Sequence, residues 1–222
     1  ANVNITGGSE NMNYYVSTSY FNELGLLKRD ELQAYNSAIK NERFNFTSNM
    51  NLKITNTTKL DLGFQGYITN GNFPGYSAQD IFDEAMIITP IVHPVQYPDG
   101  RIAGGNIDNP YAMLTRSGYA TRWNNQLMSN IRVTQDFDFW LKGLSMTSMF
   151  SFDAYNVHNI SRPKSVDYWL ATGRDANGEL QYYQTRVGSE YLSYGRSNAG
   201  DRQFYTETAI NYSNSFGDHS VS

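Results

Sequence analysis

Apolar and polar residues alternate along two consecutive stretches of the chain, residues 43–54 and 58–69. In both stretches the even-numbered positions are mostly apolar, whereas the odd-numbered positions mostly carry amide, hydroxyl or charged groups. A period of two residues is typical of a β-strand with one apolar and one polar face. Only residues 55–57 separate the two stretches, so the pattern predicts an antiparallel hairpin with a tight turn.

The same alternation predicts the register of this hairpin. If residues whose numbers sum to about 112 are paired, Leu52 lies opposite Leu60 on the apolar face and Asn51 lies opposite Asp61 on the polar face. A slip of one residue would turn every side chain of a strand to the other face. Agreement on both faces therefore favours this register.

A second hairpin is predicted across a short turn at residues 136–143. Pairing Val133 with Met146 and Ile131 with Ser148 again collects apolar and small residues on one face and polar residues on the other. The two hairpins have the same design, which indicates that they belong to one sheet.

Seven strands are predicted in total, at residues 2–7, 12–21, 43–54, 58–69, 123–135, 144–156 and 202–213. Short turns alternate with three long connections, residues 22–42, 70–122 and 157–201. Every second connection of an up-and-down meander lies at the same end of the sheet, so the long connections are expected together. Loops of more than about 12–15 residues are uncommon in compact domains and are usually functional.

The apolar face is predicted to face lipid. The longer strands reach about 10 to 13 residues, against the 5 or 6 that are usual in globular sheets, and a tilted strand needs about 9 to 11 residues to cross a bilayer. Aromatic residues such as Tyr14, Tyr20, Phe137, Phe139 and Trp140 lie where strands would leave the hydrocarbon. The polar face would then line a wet lumen, and its predicted lining residues are Asn45, Asn49, Gln65, Arg132, Asp153 and Glu207.

Composition agrees with a β protein and argues against several partners. The chain of 222 residues contains 17 Tyr, 12 Phe and 18 Gly, which favours strands. Its net charge of -4 argues against nucleic acid as a partner. It has no cysteine, hence no disulfide and no thiolate metal site. No run is long and apolar enough for a membrane helix, and no signal peptide is expected in this sequence.

The long connections contain local order of their own. Ser77 and Asp80 form the spacing of a capping box before an apolar run, which predicts a short helix. Asn109 followed by Pro110 predicts the start of a second helix. Residues 97–105 are predicted to turn on Pro98, Asp99 and Gly100, and Asn177 with Gly178 predicts a hairpin turn. These connections are therefore expected to form a folded wall or lid over the mouth of the lumen.

Residues that would carry catalysis or bind a metal do not form a convincing set. His93, His158 and His219 are far apart and lack the spacing of metal ligands. Asp136 and Asp138 flank Phe137 in a predicted turn, where solvated carboxylates are the ordinary case. We therefore predict no catalytic residues, no metal site and no cofactor.

Several stretches resemble the SusC/RagA family of TonB-dependent outer-membrane transporters. The resemblance is collinear over nearly the whole chain and is carried most specifically by "YPDGRIAG" and "KGLSMTSMFSFD", with "DIFDEAMIITPIVHPVQ", "NPYAMLTRSGY" and "YWLATGRDANGEL" around them. It implies a bacterial outer-membrane barrel of about 22 antiparallel strands with a plug in its lumen. It also implies two partners, a SusD-like surface lipoprotein and the TonB complex.

The chain departs from that family pattern in what it lacks. Neither a plug, nor a TonB box, nor an aromatic-ended final strand is recognisable, so residues 1–222 are interpreted as part of an all-β, antiparallel up-and-down barrel. Two unpaired sheet edges would not be tolerated in lipid. Further strands of the barrel are therefore expected elsewhere in the protein.

The favoured function is uptake of a large nutrient, an oligosaccharide or oligopeptide. Aromatic and charged loop residues would bind it by stacking and hydrogen bonding. The predicted substrate-binding residues are Tyr97, Asp99, Arg101, Tyr111, Tyr119, Trp123, Tyr168 and Trp169. The alternative is a soluble or surface all-β carbohydrate-binding module in which the same aromatics bind sugar without transport. Hydrolysis is a third possibility that no residue set supports.

Overall fold

A computed structural model describes residues 1–27, 33–89 and 91–222. Its elements in chain order are β1 (Asn2–Ser9), β2 (Met12–Leu24), β3 (Lys40–Lys53), β4 (Thr58–Pro74), α1 (Ala78–Ile87), α2 (Pro110–Thr115), β5 (Gly118–Asp136), β6 (Leu144–Pro163), β7 (Tyr168–Arg174), β8 (Leu180–Arg186), β9 (Gly195–Tyr212), β10 (Asn214–Phe216) and β11 (His219–Val221). Neither described helix is long and apolar enough to cross a membrane.

The main sheet contains seven antiparallel strands in the order β1, β2, β3, β4, β5, β6 and β9. Each of β1 to β5 pairs with its successor along the chain, and β6 pairs with β9 because β7 and β8 form a separate hairpin. The seven predicted strands are thus confirmed as one meander. Within the described residues the sheet is open, with β1 and β9 at its edges.

The predicted register of the first hairpin is confirmed. Leu52 pairs with Leu60 and Asn51 pairs with Asp61, where the amide Nδ2 donates to the carboxylate at 2.6 Å. The turn is tight, as predicted, and the Thr55 hydroxyl accepts from the backbone N–H of Thr58 at 2.9 Å.

The predicted register of the second hairpin is wrong by two residues. Val133 pairs with Ser148 rather than Met146, and Ile131 pairs with Phe150 rather than Ser148. The turn is shorter than predicted because the backbone N–H of Phe137 already donates to the carbonyl of Leu144, at 2.8 Å. A shift of two residues leaves every side chain on its predicted face, so alternation alone could not detect it.

Most strands of the main sheet are longer than predicted. β5 begins at Gly118 rather than at 123, and β6 continues to Pro163 rather than ending at 156. The added residues at these ends break the apolar alternation, since polar residues such as Thr121, His158 and Arg162 stand at positions of the apolar face. Alternation marks where a strand contacts an apolar medium, whereas backbone hydrogen bonding continues beyond that boundary.

One face of the main sheet is mostly apolar in the half of the strands nearer the short turns, with small residues such as Ser48 and Ser129 among the apolar ones. The register places the following residues on it together: Val3, Ile5, Val16, Phe46, Phe64, Leu62, Ile131, Leu127, Phe150, Phe152 and Phe204. On β6 the apolar run extends from Leu144 to Ala154. At about 3.3 Å per residue this is about 33 Å along the strand, which corresponds to about 25 Å of height for a strand tilted by about 40°.

The apolar face has no protein packed against it in the described part of the chain. Phe64 is 41% exposed and Phe204 is 69% exposed. Most of the buried apolar side chains lie in the long connections, where six of them form two small clusters. The hydrophobic surface of the sheet is therefore left to another medium or another chain.

Candidate functional site

The long connections meet at one end of the main sheet and form a folded unit, here called the loop unit, comprising residues 75–89, 91–117 and 164–194. Its centre is the buried cluster of Ile102, Ala112 and Tyr168. A parallel bridge joins Ala103 to Trp169, with the Trp169 N–H donating to the Ile102 carbonyl at 3.0 Å. The connection before β5 is thus bound directly to the connection before β9.

Asn109 is the polar centre of the loop unit and is 2% exposed. Its side-chain oxygen caps α2 by accepting from the Tyr111 N–H at 3.0 Å, which confirms the predicted start of that helix. Its amide nitrogen donates to the carbonyls of Val95 and Ala103, both at 2.8 Å, and its backbone N–H donates to the Tyr168 hydroxyl at 3.2 Å. One side chain therefore ties three segments of the unit together.

The predicted turn at residues 98–100 is confirmed, and it presents Arg101. Gly100 adopts a φ of 88°, which only glycine takes readily, and its N–H donates to the Tyr97 carbonyl at 3.0 Å. Arg101 forms an ion pair with Asp99 at 2.6 Å. The turn thus places a carboxylate and a guanidinium side by side at the surface.

Aromatic rings surround that guanidinium. It lies 4.8 Å from the ring of Trp169 and 4.5 Å from the ring of Tyr182, which are distances of cation–π contact. Tyr97 packs edge-on against Tyr182 at 5.0 Å, and its hydroxyl accepts from the Ala171 N–H at 2.9 Å. We call Tyr97, Asp99, Arg101, Trp169 and Tyr182 the arginine–aromatic cluster.

Electrostatics within this cluster favour the charged carboxylate and the neutral phenol. The backbone N–H of Arg101, and then its guanidinium, lower the pKa of Asp99 below its usual value. Partial burial, followed by the neighbouring Asp99 carboxylate, raises the pKa of Tyr182. The cluster therefore carries the ion pair of Asp99 with Arg101 and a neutral Tyr182 hydroxyl at ordinary pH.

The sequence reasoning identified four members of this cluster, Tyr97, Asp99, Arg101 and Trp169, and missed Tyr182. Tyr182 lies on β8, after the predicted Asn177–Gly178 turn. The Asn–Gly pair predicted the turn, but no sequence pattern indicated that the β7–β8 hairpin would pack over Arg101.

The other predicted substrate-binding residues are placed differently. Tyr168 is 2% exposed, and burial raises the pKa of its phenol to about 12. Tyr111 is half-buried against the same cluster, and Tyr119 stacks on Tyr35 at a ring distance of 5.9 Å. Trp123 lies on β5 on the same face as Leu127 and Ile131, just beyond the apolar run. These four residues are thus not brought together with the arginine–aromatic cluster.

Tyr168 is supported from one side by an ion pair. The guanidinium of Arg186 lies 4.7 Å from the Tyr168 ring and pairs with the Asp108 carboxylate. Asp108 is also bound to α1, because its backbone N–H donates to the Glu84 carboxylate at 3.1 Å. The helix and the hairpin are thereby held to one buried ring.

The six predicted lumen-lining residues all lie on the polar face of the main sheet. The register alternates them with the apolar set, so that Asn49, Gln65 and Asp153 face one way while Phe64 and Phe152 face the other. Hydrogen bonds run across this face, among them Asn45 Nδ2 to the Ser19 hydroxyl at 3.0 Å. The polar face is therefore a continuous surface of amide, hydroxyl and charged groups.

A cavity of about 740 Å³ lies where the polar face meets the loop unit. Its floor is formed by residues at the same height on four adjacent strands, β4, β5, β6 and β9. Its roof is formed by residues 74–78. We call it the strand-end cavity, and its main polar and aromatic lining residues are Phe73, Tyr76, Arg122, Asn159, Ser161 and Ser197.

The roof of this cavity depends on Gly75. A Cβ at that position would lie 2.2 Å from the carbonyl oxygen of Ser117, so only glycine lets the two segments pass. Ser77 then caps α1 and accepts from the Asp80 N–H at 3.1 Å, which confirms the predicted capping box. This crossing sets Tyr76 and Ala78 above the strand ends.

The floor of the cavity is a hydrogen-bonded row across three strands. Arg122 Nε donates to the side-chain oxygen of Asn159 at 3.0 Å, and Asn159 Nδ2 donates to the Ser197 hydroxyl at 3.3 Å. The sequence reasoning missed this site because its strands were drawn too short to include any of the three residues.

No family model matches the chain. Two curated proteins of Formosa agariphila are similar to it. TonB-dependent receptor P3 is 26% identical over 204 residues, covering 86% of this chain and 19% of that protein. TonB-dependent receptor P26 is 26% identical over an alignment of 228 residues, covering 93% of this chain and 21% of that protein. The chain therefore spans about a fifth of the length of these relatives.

Among solved structures, the RagAB peptide importer in its closed-closed state superposes with a TM-score of 0.50. The match has 12% sequence identity and covers 95% of this chain and 30% of that one, so the likeness is one of fold. The expected resemblance to TonB-dependent receptors of SusC/RagA type is confirmed. The antiparallel barrel-type architecture and the bacterial outer membrane as location are confirmed with it.

Proposed function

We propose that residues 1–222 form part of the barrel wall of an outer-membrane transporter that imports a large nutrient, an oligosaccharide or oligopeptide, in a TonB-dependent manner. The observation that carries the proposal is the apolar face of the main sheet, which is about 25 Å high for tilted strands and has none of the described residues packed on it. Hydrocarbon tails are the medium that such a face fits. The names of the relatives, which are receptors, support the same conclusion.

The polar face would line the aqueous route of the nutrient. Its amide and hydroxyl groups can exchange hydrogen bonds with a hydrated substrate as it passes, because none of them offers a strong single binding point. Residues Asn45, Asn49, Gln65, Arg132, Asp153 and Glu207 are proposed to line the lumen on this basis.

The loop unit would form the outer wall of the entrance. The arginine–aromatic cluster presents a charged and aromatic surface there, and Trp169 with Arg101 is its most suitable part for stacking on a sugar ring or a peptide side chain. The buried Tyr168 and the half-buried Tyr111 would keep this wall folded. A SusD-like lipoprotein is proposed to cover the entrance, and the TonB complex to supply energy through other parts of the protein.

Spin labels on neighbouring residues test the barrel. The chain has no cysteine, so Phe64→Cys and Gln65→Cys can each carry one label in the intact protein in vesicles, with any cysteine elsewhere replaced. We expect the label at 64 to be accessible to oxygen and shielded from a polar nickel complex, and the label at 65 to show the reverse.

Shielding of position 64 from both reagents would instead indicate a packed protein interior and would support the soluble carbohydrate-binding module. Import itself is tested by uptake of fluorescent oligosaccharides and oligopeptides into cells with and without the gene. Gene-dependent uptake that a protonophore abolishes is the expected result, and gene-dependent uptake that a protonophore leaves intact would contradict TonB dependence.

A further inference from the structure

We propose that the strand-end cavity binds a carboxylate group of the incoming nutrient through Arg122, a reading that rests on the proposed transport function. The guanidinium is anchored at one of its three nitrogens, because Nε donates to Asn159 at 3.0 Å. The terminal nitrogens form the edge of the guanidinium that pairs with a carboxylate through two parallel hydrogen bonds. Arg122 is thus oriented with that edge available.

The charges around the cavity support an anionic ligand. Within the described ranges, no ion pair involves Arg122. The two carboxylates whose charge acts on the roof residue Tyr76 have partners of their own, since Asp80 accepts from the Ser77 hydroxyl at 2.6 Å and Asp108 pairs with Arg186. The guanidinium is therefore a positive charge at the end of a polar surface, with no counter-ion among the residues that the structure describes.

The remaining groups on the floor suit a hydrated ligand. Asn159 Nδ2 is directed to Ser197 at 3.3 Å, which holds the amide while leaving the Ser197 hydroxyl proton free to donate elsewhere. Phe73 lies beside Arg122, with 5.9 Å between the guanidinium carbon and the ring centre, and provides an apolar side to the cavity. A ligand whose carboxylate binds Arg122 could thus also accept a hydrogen bond from the Ser197 hydroxyl, through a hydroxyl or amide oxygen of its own.

The size of the cavity sets the size of the bound part. A volume of about 740 Å³ lies within the range of small-molecule sites, roughly 300–1,000 Å³. It is large enough for the end of an oligomer and too small for a folded partner. Two sources offer the same chemistry, the carboxylate of an oligopeptide and the carboxylate of an acidic oligosaccharide.

Two matched probe pairs separate these sources. The first is tetra-alanine with a free carboxylate and its C-terminal amide, and the second is tetragalacturonic acid and its methyl ester. Binding to the intact protein in detergent is measured by titration calorimetry for the wild type, Arg122→Gln, Arg122→Lys and a control, Arg162→Gln. Arg162 lies on the opposite face of β6, over the ring of Tyr194 at 4.5 Å.

We expect the wild type to prefer the acid over its neutral partner in at least one pair. Arg122→Gln should weaken binding of that acid about ten- to hundredfold and leave the neutral probe unchanged, because a charged hydrogen-bonded pair is lost. Arg122→Lys should retain part of the preference, since it keeps the charge without the two-point geometry. Arg162→Gln should behave as the wild type.

Preference in the alanine pair alone would identify a peptide carboxylate, and preference in the uronate pair alone would identify an acidic oligosaccharide. The proposal is overturned if no probe binds, if acid and neutral probes bind alike, or if Arg122→Gln weakens both equally. In those cases protonophore-sensitive uptake and the labelling pattern at 64 and 65 would still decide the transport function separately.

Discussion

A single serine on the apolar face distinguishes a lipid-facing sheet from a packed interior. Ser48 lies between Val16 and Phe64 in the register, near the middle of the apolar band. Replacing it with leucine adds apolar surface and removes a hydroxyl. The two environments predict opposite signs for the effect on the free energy of unfolding.

In lipid the larger side chain meets a fluid that can yield to it. At about 0.8 kcal/mol per buried CH₂ group, and with the neighbouring rings covering part of the new side chain, Ser48→Leu should stabilise the protein by about 1–2 kcal/mol. In a close-packed core the same change would overfill the interior and destabilise by about 1–3 kcal/mol. The difference in sign does not depend on the accuracy of either magnitude.

The assay is urea unfolding of the intact protein in vesicles, with the folded fraction read from its heat-modifiable gel mobility. Thr47→Leu is the matched control, because Thr47 directly precedes Ser48 on β3 and lies on the polar face opposite Gln65. It should change the free energy of unfolding by no more than about 0.5 kcal/mol. A lower unfolding midpoint for Ser48→Leu, with Thr47→Leu unchanged, would refute the lipid-facing assignment.

Three further predictions concern charge in the band, the loop unit and its buried phenol. Phe64→Arg should lower the free energy of unfolding by about 2–4 kcal/mol in the same urea assay, because it places a charge in hydrocarbon. Gln65→Arg places its charge on the polar face and should lower it by less than about 1 kcal/mol. Equal losses of unfolding free energy in the two variants would contradict the assignment of the faces. Asn109→Ala should destabilise the loop unit by about 2–4 kcal/mol, since it removes a helix cap and leaves two carbonyls without their donor. Amide hydrogen exchange should become faster in residues 95–115 while gel mobility is unchanged. Unaltered exchange would show that Asn109 does not hold the loop unit together. The pKa of Tyr168 is raised from 10.0 to about 12, so the neutral phenol stabilises the fold below pH 10 and this contribution is lost as pH rises from 10 to 12. In a titration followed by tyrosinate absorbance, Tyr168→Phe should remove one phenol from the part of the curve near pH 12. An unchanged curve in that range would show that the ring is not buried.

The loop unit could be predicted from the sequence in its parts but not in its assembly. The Ser77 capping box, the Asn109 cap and the Gly100 turn are local devices whose partners lie within a few residues, and the structure confirms all three. The second role of Asn109, as donor to Val95 and Ala103, joins residues brought together by the fold. No short-range pattern encodes that contact.

The candidate sites divide in the same way. Arg101 and Asp99 are two residues apart on one turn, so their pairing was accessible to reasoning from the sequence. The row of Arg122, Asn159 and Ser197 joins residues up to 75 positions apart and required the register at strand ends, where the apolar alternation has already stopped. The two-residue error in the β5–β6 register has a different origin, since a shift by an even number leaves both faces intact and alternation cannot detect it.

The sequence by itself determined the number of strands in the main sheet, their antiparallel order and the face on which each side chain lies. It could do so because a period of two is a local property that water and an apolar medium impose on every strand independently. Only the tertiary structure decided how far the strands extend, which turn closes the second hairpin, and that β7 and β8 fold over Arg101. These features depend on backbone hydrogen bonds and packing between segments that are distant in the chain. The free energy of such contacts depends on both partners, and no periodic pattern in the sequence indicates which segments will meet.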